Sequence, residues 1–267
     1  KYPNAWLLGY RDVTNATNER TVIASIIPRT GCDSHCRNIY FDSSEIDALN
    51  ISCLLANMNA YFFDYLARQK VIGTGLGAGV LEQLPLIEPS FYRKMHVENE
   101  SINLESWINK RVLELSFTSY DLSMYARDCG WAGPPYLWND SRRFQILCEL
   151  DAMFFNLYFM RIGESNGLDE LSSKYSHRDI IKFVMGTFPI TERRDLIVHN
   201  SYRTLLTILQ IFDSISIDEA NIIQYKSPLS PSPGPPLEAL PEWLPGQPRP
   251  RNWPSHMHPP KGVENAE

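Results

Sequence analysis

Apolar residues recur at the helical period from Ile51 onward, at Leu54, Leu55, Met58, Phe62, Tyr65 and Leu66. This spacing predicts a long helix reaching about Val71, where Gly73, Gly75, Gly77 and Gly79 cannot sustain it. Ser43, Ser44 and Glu45 supply helix-start signals before it. Pro85 and Pro89 then punctuate an extended segment. Upstream the pattern is that of strands. Residues 5–10 form a short apolar run, residues 21–27 are rich in β-branched side chains and end at Pro28, and residues 39–41 suggest a third strand. The polar stretch 11–20 between the first two implies hairpin-like pairing, and residues 31–38 read as a loop.

Downstream the helical period returns. Trp107, Val112, Leu113, Leu115, Leu122, Tyr125 and Ala126 mark a helical stretch within 101–129, with a possible restart at Ser119. A Gly/Pro/aromatic loop follows over 130–138. Asp140 caps a predicted helix running to about Tyr158. A shorter helix begins at Ser176 and ends near Phe188 and Pro189, and a last one covers 202–214. Twelve of the nineteen prolines then fall between Pro228 and Pro260. The fold class expected is α+β. Residues 1–95 hold a mixed, mainly antiparallel sheet packed with a long helix, residues 96–225 are mainly helical, and residues 226–267 are a Pro-rich extended or disordered tail.

A chain of 267 residues with 43% hydrophobic residues can bury a sizeable core. Its net charge of −6 argues against a nonspecific nucleic-acid binder. The acidic excess is confined to 96–225, with twelve Lys/Arg against eighteen Asp/Glu, whereas 1–95 is balanced at nine of each. A nucleic-acid surface is therefore sought in the first region. No run approaches a membrane span and no signal-peptide pattern occurs, so a cytoplasmic protein without a membrane partner is expected. The chain starts at Lys1 without an initiator Met, as a piece of a longer protein would. Five cysteines, an odd number lying mostly in apolar segments, suit free thiols in a reducing compartment. Cys32, His35 and Cys36 offer three metal ligands, but no second cluster completes a site.

Two motifs imitate catalytic ones. The run from Gly73 to Gly79 has the glycines of a phosphate loop but the wrong register, no Gly-Lys-Ser/Thr, and a helix before it. Gly133-Pro134-Pro135-Tyr136 resembles the Asn/Asp-Pro-Pro-Tyr/Phe loop of amino-methyltransferases, but Gly133 has no side chain to accept a bond from a target amine. No catalytic constellation survives in this chain. Polar residues that suit DNA are clustered instead at Arg68, Gln69 and Lys70, with Thr74 following, and Arg20 and Arg29 flank the second strand. These converge on one face if the helix packs on the sheet. Otherwise they are solvated ends and ion pairs, with Arg20 satisfied by Asp12 or Glu19.

A series of segments carries a family resemblance. Trp6-Leu-Leu-Gly-Tyr-Arg-Asp12 is followed by Thr17-Asn-Glu-Arg-Thr-Val-Ile-Ala-Ser-Ile-Ile-Pro-Arg29, then by Asp64-Tyr-Leu-Ala-Arg-Gln-Lys70, Gly73-Thr74 and Glu82-Gln-Leu-Pro-Leu86. Leu115-Ser-Phe-Thr-Ser-Tyr-Asp-Leu122, Gly133-Pro-Pro-Tyr136, Arg142-Arg143 and Thr187-Phe-Pro-Ile190 continue the order. Across about residues 5–215 the chain resembles the C-terminal target-recognition region of large adenine-specific DNA methyltransferases of type IIG restriction–modification and phage-defence systems. The resemblance implies a specificity-subunit-like recognition domain that binds double-stranded DNA. It places the catalytic module and its S-adenosylmethionine upstream, and no cofactor in this chain. Arg68, Gln69, Lys70 and Arg29 are then the expected DNA face, with Thr74 and Arg20 beside them. The alternative is a helical docking module for other subunits of a defence complex.

Overall fold

The strand Trp6–Arg11 (β1) is buried at five of its six positions, as befits a central strand covered on both faces. Ala24–Pro28 (β2) and Cys36–Ile39 (β3) pair antiparallel on its two sides, in the order β2-β1-β3. Leu8 lies opposite both Ile26 and Ile39. The computed structural model describes residues 4–41, 47–163, 174–234, 243–244, 246–251 and 253. The third strand begins three residues before its expected place. Cys-Arg-Asn-Ile has no apolar alternation to announce it, and the ladder of β1 recruits it.

The predicted long helix is two helices, Ala48–Asn59 (α1) and Tyr61–Lys70 (α2), separated by Ala60 in extended geometry. The break has tertiary causes. Asn59 turns its side-chain amide onto edge strand β2, donating to Ala24 O and accepting from Ala24 N, both at 3.0 Å. The Tyr61 N–H donates to Asp151 Oδ1 at 2.7 Å instead of to a helical carbonyl. Asp47 caps α1 through Asn50 N; the expected start signals Ser43, Ser44 and Glu45 lie outside the described residues. Short helices Ala78–Leu81 (α3) and Pro89–Lys94 (α4) follow the glycine turn.

The second region supplies Leu104–Ser116 (α5), Ser123–Asp128 (α6), Asp140–Gly163 (α7), His177–Gly186 (α8), Pro189–His199 (α9) and Arg203–Ser214 (α10). A small sheet joins its two ends. His96–Val97 (β4), Ile102–Asn103 (β5), Ser216–Ile217 (β6) and Ile222–Gln224 (β7) pair in the order β5-β4-β7-β6, with β4 and β7 parallel. One hydrophobic core runs from Trp6 to Tyr225 and crosses the boundary expected near residue 95. Polar contacts cross it too, such as Ser52 Oγ to Asn109 Oδ1 at 2.9 Å between α1 and α5.

The start of the Pro-rich tail is docked. Ser227 Oγ donates to Glu149, the Pro231 carbonyl accepts from Arg142, and Gly234 N–H donates to Glu114. Trp243 and Trp253 meet edge to face, packed against Tyr120 and Leu137. Among the described residues no helix is long and apolar enough to cross a membrane.

Candidate nucleic-acid interface

The cationic cluster at the end of α2 divides in two. Arg68 turns inward and is 8% exposed. Its Nε donates to Asp64 Oδ1 at 3.1 Å, its Nη1 to the carbonyls of Ala16 and Thr187, and its Nη2 to those of Asn18 and Glu19. All five guanidinium N–H groups are thus engaged. The guanidinium also stacks over the Phe188 ring at 3.9 Å. No donor remains for a base edge, so the expectation that Arg68 faces DNA is corrected. It ties the 15–20 loop and the α8–α9 junction to α2.

Arg20 is held by the same carboxylate. Its Nε donates to Asp64 Oδ2 at 2.9 Å, its Nη2 to Asn59 O, and its guanidinium lies 4.0 Å from the Tyr61 ring centroid. Its partner is Asp64 rather than Asp12 or Glu19. Asp64 is fully buried and also accepts from the backbone N–H groups of Thr21 and Val22. The network is a structural joint between loop, sheet and helix.

The remaining candidates are separated along the sheet. Arg29 is exposed beyond β2, where its N–H donates to Ala5 O and its Nη1 to Asn4 O. That is the opposite end of β1 from Arg11, about 17 Å away along the strand. Gln69, Lys70 and Thr74 are exposed near the other end. There the loop after α2 bridges onto the extension of β1. Val13 pairs with Gly75, Thr14 N–H donates to Thr74 O, and Leu76 N–H donates to Asp12 O at 2.8 Å. The entry to β3 joins them, with Asp12 N–H donating to His35 O at 2.8 Å and Arg37 paired with Asp12 at 3.0 Å.

This end of the sheet presents exposed Arg11, Arg37, Gln69, Lys70 and Thr74, together with Ile72 at 96% exposure. Among the described residues Lys70 reaches only Gln83, at 3.4 Å, and Gln69 only the carbonyl of Tyr65. Arg11 Nε donates to Val13 O. Tyr10 lies beneath. Burial pushes its phenol up, Arg37 opposes that shift, and Asp12 and Glu82 add to it. Arg11, Arg37 and Ile72 escape a motif search because each is ordinary in its own segment. The β1–β3 register sets Arg37 opposite Tyr10 and Arg11 opposite Cys36, so the two arginines leave opposite faces at the same end of the sheet, and Ile72 lies in the loop that bridges onto that end.

The two motif imitations resolve as packing. Gly73 has φ +91°, which suits glycine at the turn that closes α2. A Cβ at Gly133 would lie 2.3 Å from Trp131 Cζ2, so the Gly-Pro-Pro loop is wrapped on that indole. Tyr136 is buried against Trp131 and Phe117. Among the described residues no group of three His, Cys, Asp or Glu side chains is placed to hold a metal ion.

A separate cleft of about 720 Å³ opens between β2 and the α5 and α7 helices, lined in part by Arg20, Asn59, Trp138, Arg143 and Asp151. Burial raises the Asp151 carboxyl to about 7, against the opposing pull of Arg20 and the Tyr61 N–H. Comparisons of this chain with protein-family models, with curated proteins and with solved structures find no match.

Proposed function

We propose that this chain recognises double-stranded DNA as the target-recognition part of an adenine-specific DNA methyltransferase. The observation that carries the reading is the gathering of Arg11, Arg37, Lys70, Gln69, Thr74 and Ile72 at one end of a backbone-bonded sheet. Three cations suit phosphate oxygens, an amide and a hydroxyl suit base edges, and an exposed Ile suits a thymine methyl. The ordered series of methyltransferase-like segments agrees with it. S-adenosylmethionine and the transfer step would belong to a module upstream of this chain. The test is titration of the chain with duplex DNA at low and moderate salt, repeated with Arg11, Arg37 and Lys70 replaced by Ala. Salt-dependent binding that the triple variant weakens supports the reading. Absence of binding at low salt, or equal binding by the variant, overturns it.

One observation favours a second reading, docking onto another subunit of a defence complex. Helix α9 buries polar Thr191 and Asp195 and exposes Ile190, Leu196, Ile197 and Val198. Such inversion suits a partner surface. Binding to a partner protein that Ile197→Asp abolishes, with no duplex binding, would favour docking.

A further inference from the structure

We infer that Cys32 and Cys36 are an oxidisable pair that closes to an intramolecular disulfide by exchange with a low-molecular-weight disulfide such as oxidised glutathione. Cys32 precedes, and Cys36 closes, a tight turn in which Cys36 N–H donates to Asp33 O and His35 N–H donates to Asp33 Oδ1 at 2.9 Å. The turn brings the Cα atoms of its end residues, Asp33 and Cys36, within about 7 Å, and the thiol of Cys32, one residue before it, is in hydrogen-bonding contact with the Cys36 thiol, the approach a disulfide needs. Both are free thiols, Cys32 exposed and Cys36 half-buried. The side chain of Cys36 lies over Gly9 of β1, where an added Cβ would sit 3.1 Å from its sulfur, so the absence of a side chain at Gly9 gives the thiol its place. Burial and then the neighbouring Cys32 thiol push the Cys36 thiol up. The other three cysteines, Cys53, Cys129 and Cys148, are buried in the core, which confines exchange to this pair.

The chemistry balances. The exposed Cys32 sulfur, as thiolate, attacks one sulfur of the small disulfide and releases one thiolate, leaving a mixed disulfide. The Cys36 thiolate then attacks the Cys32 sulfur and releases the second. Two protein thiols are oxidised to one disulfide, one small disulfide is reduced to two thiols, and the two protons move from protein to the released thiolates. The turn that closes also holds Asp12 through the His35 carbonyl and carries Arg37 at its end. Resting on the DNA reading above, the bond places a redox-sensitive loop at the rim of the proposed interface.

The full chain is incubated with oxidised glutathione, alkylated and digested with trypsin without reduction, and the peptide 30–37 is weighed. The expected result is a peptide about 2 Da lighter, with no glutathione attached, which regains its mass on reduction. Cys36→Ser is expected to stop at a glutathione adduct on Cys32. A stable adduct on Cys32 in the unaltered chain, a dimer joined through Cys32, or no reaction overturns the proposal. The peptide mass is read without DNA, so failure here is distinct from failure of DNA recognition.

Discussion

Asp64 Oδ1 accepts a hydrogen bond from Arg68 Nε at 3.1 Å, one turn further along α2, and both side chains are buried. The other carboxylate oxygen serves Arg20. Replacing Asp64 by Ala leaves two guanidinium groups and two backbone N–H groups without their acceptor. Removing one member of a buried ion pair costs about 3–5 kcal/mol. Urea unfolding of Asp64→Ala is expected to show a loss of that size, and a loss below about 1 kcal/mol would show that the network is not holding the fold.

Arg68→Lys tests the inward placement of Arg68. An ammonium has three donors on a flexible stem and cannot serve one carboxylate and four carbonyls in a planar fork. Leaving buried carbonyls unsatisfied costs roughly 1–3 kcal/mol. Gln69→Ala and Lys70→Ala, both on the surface, are expected to stay within about 0.5 kcal/mol. Denaturant midpoints of the three variants check the contrast. Arg68→Lys with unchanged stability and weakened duplex binding would return Arg68 to the DNA face.

The proposed interface makes a quantitative statement about salt. Each phosphate contact contributes about −0.9 to the slope of log K against log salt on duplex DNA. The Arg11→Ala, Arg37→Ala and Lys70→Ala triple variant should therefore flatten the slope by up to about 2.7, from three contacts. Replacing Arg37 also removes the exposed ion pair with Asp12, which contributes little to stability. Binding isotherms at four or five salt concentrations measure the slope.

Asp151 sets a pH dependence of stability. Its carboxyl rises from 3.8 to about 7 in the folded chain, chiefly through burial. The fold therefore binds the proton more tightly than the unfolded chain. The contribution is fully present below the unfolded value, and it is lost as pH rises through about 7. Asp151→Asn keeps an acceptor for the Tyr61 N–H and removes the titration. Its stability relative to the parent should rise between pH 5 and pH 8, by no more than roughly 3 kcal/mol. Melting temperatures across that range check it, and a difference that does not change with pH would show that the carboxyl titrates elsewhere.

Ile197 is 77% exposed on α9. Ile197→Asp should leave the isolated chain within about 0.5 kcal/mol of the parent in denaturant. A larger loss would mean that Ile197 belongs to this chain's own core, and it would remove the observation that favours docking.

Much of the fold was legible where one periodic face met one core. Strands β1 and β2 and helices α5, α7, α8 and α10 stand close to their expected places because their apolar residues repeat at one period. Helix α9 was missed for a reason that its burial explains. Pro189 reads as the end of the preceding helix, but at the first helical position its missing N–H is no loss. The helix then buries Thr191 and Asp195, so it shows no apolar stripe toward the core. The two-residue strands β4, β5 and β6 are too short for any period.

The sequence by itself determined the α+β class, the hairpin of β1 and β2, and the polar character of the α2 terminus, because these depend on local propensity and period. Only the tertiary structure decided which of Arg68, Gln69 and Lys70 face solvent. A helix turns about 100° per residue, so neighbours in sequence point different ways. Arg68 met Asp64, four carbonyls and Phe188 in the interior, while Gln69 and Lys70 were left exposed at the end of α2. Whether a guanidinium is a joint or a recognition group depends on which acceptors packing delivers to it, and those acceptors come from segments 4 to 119 residues away.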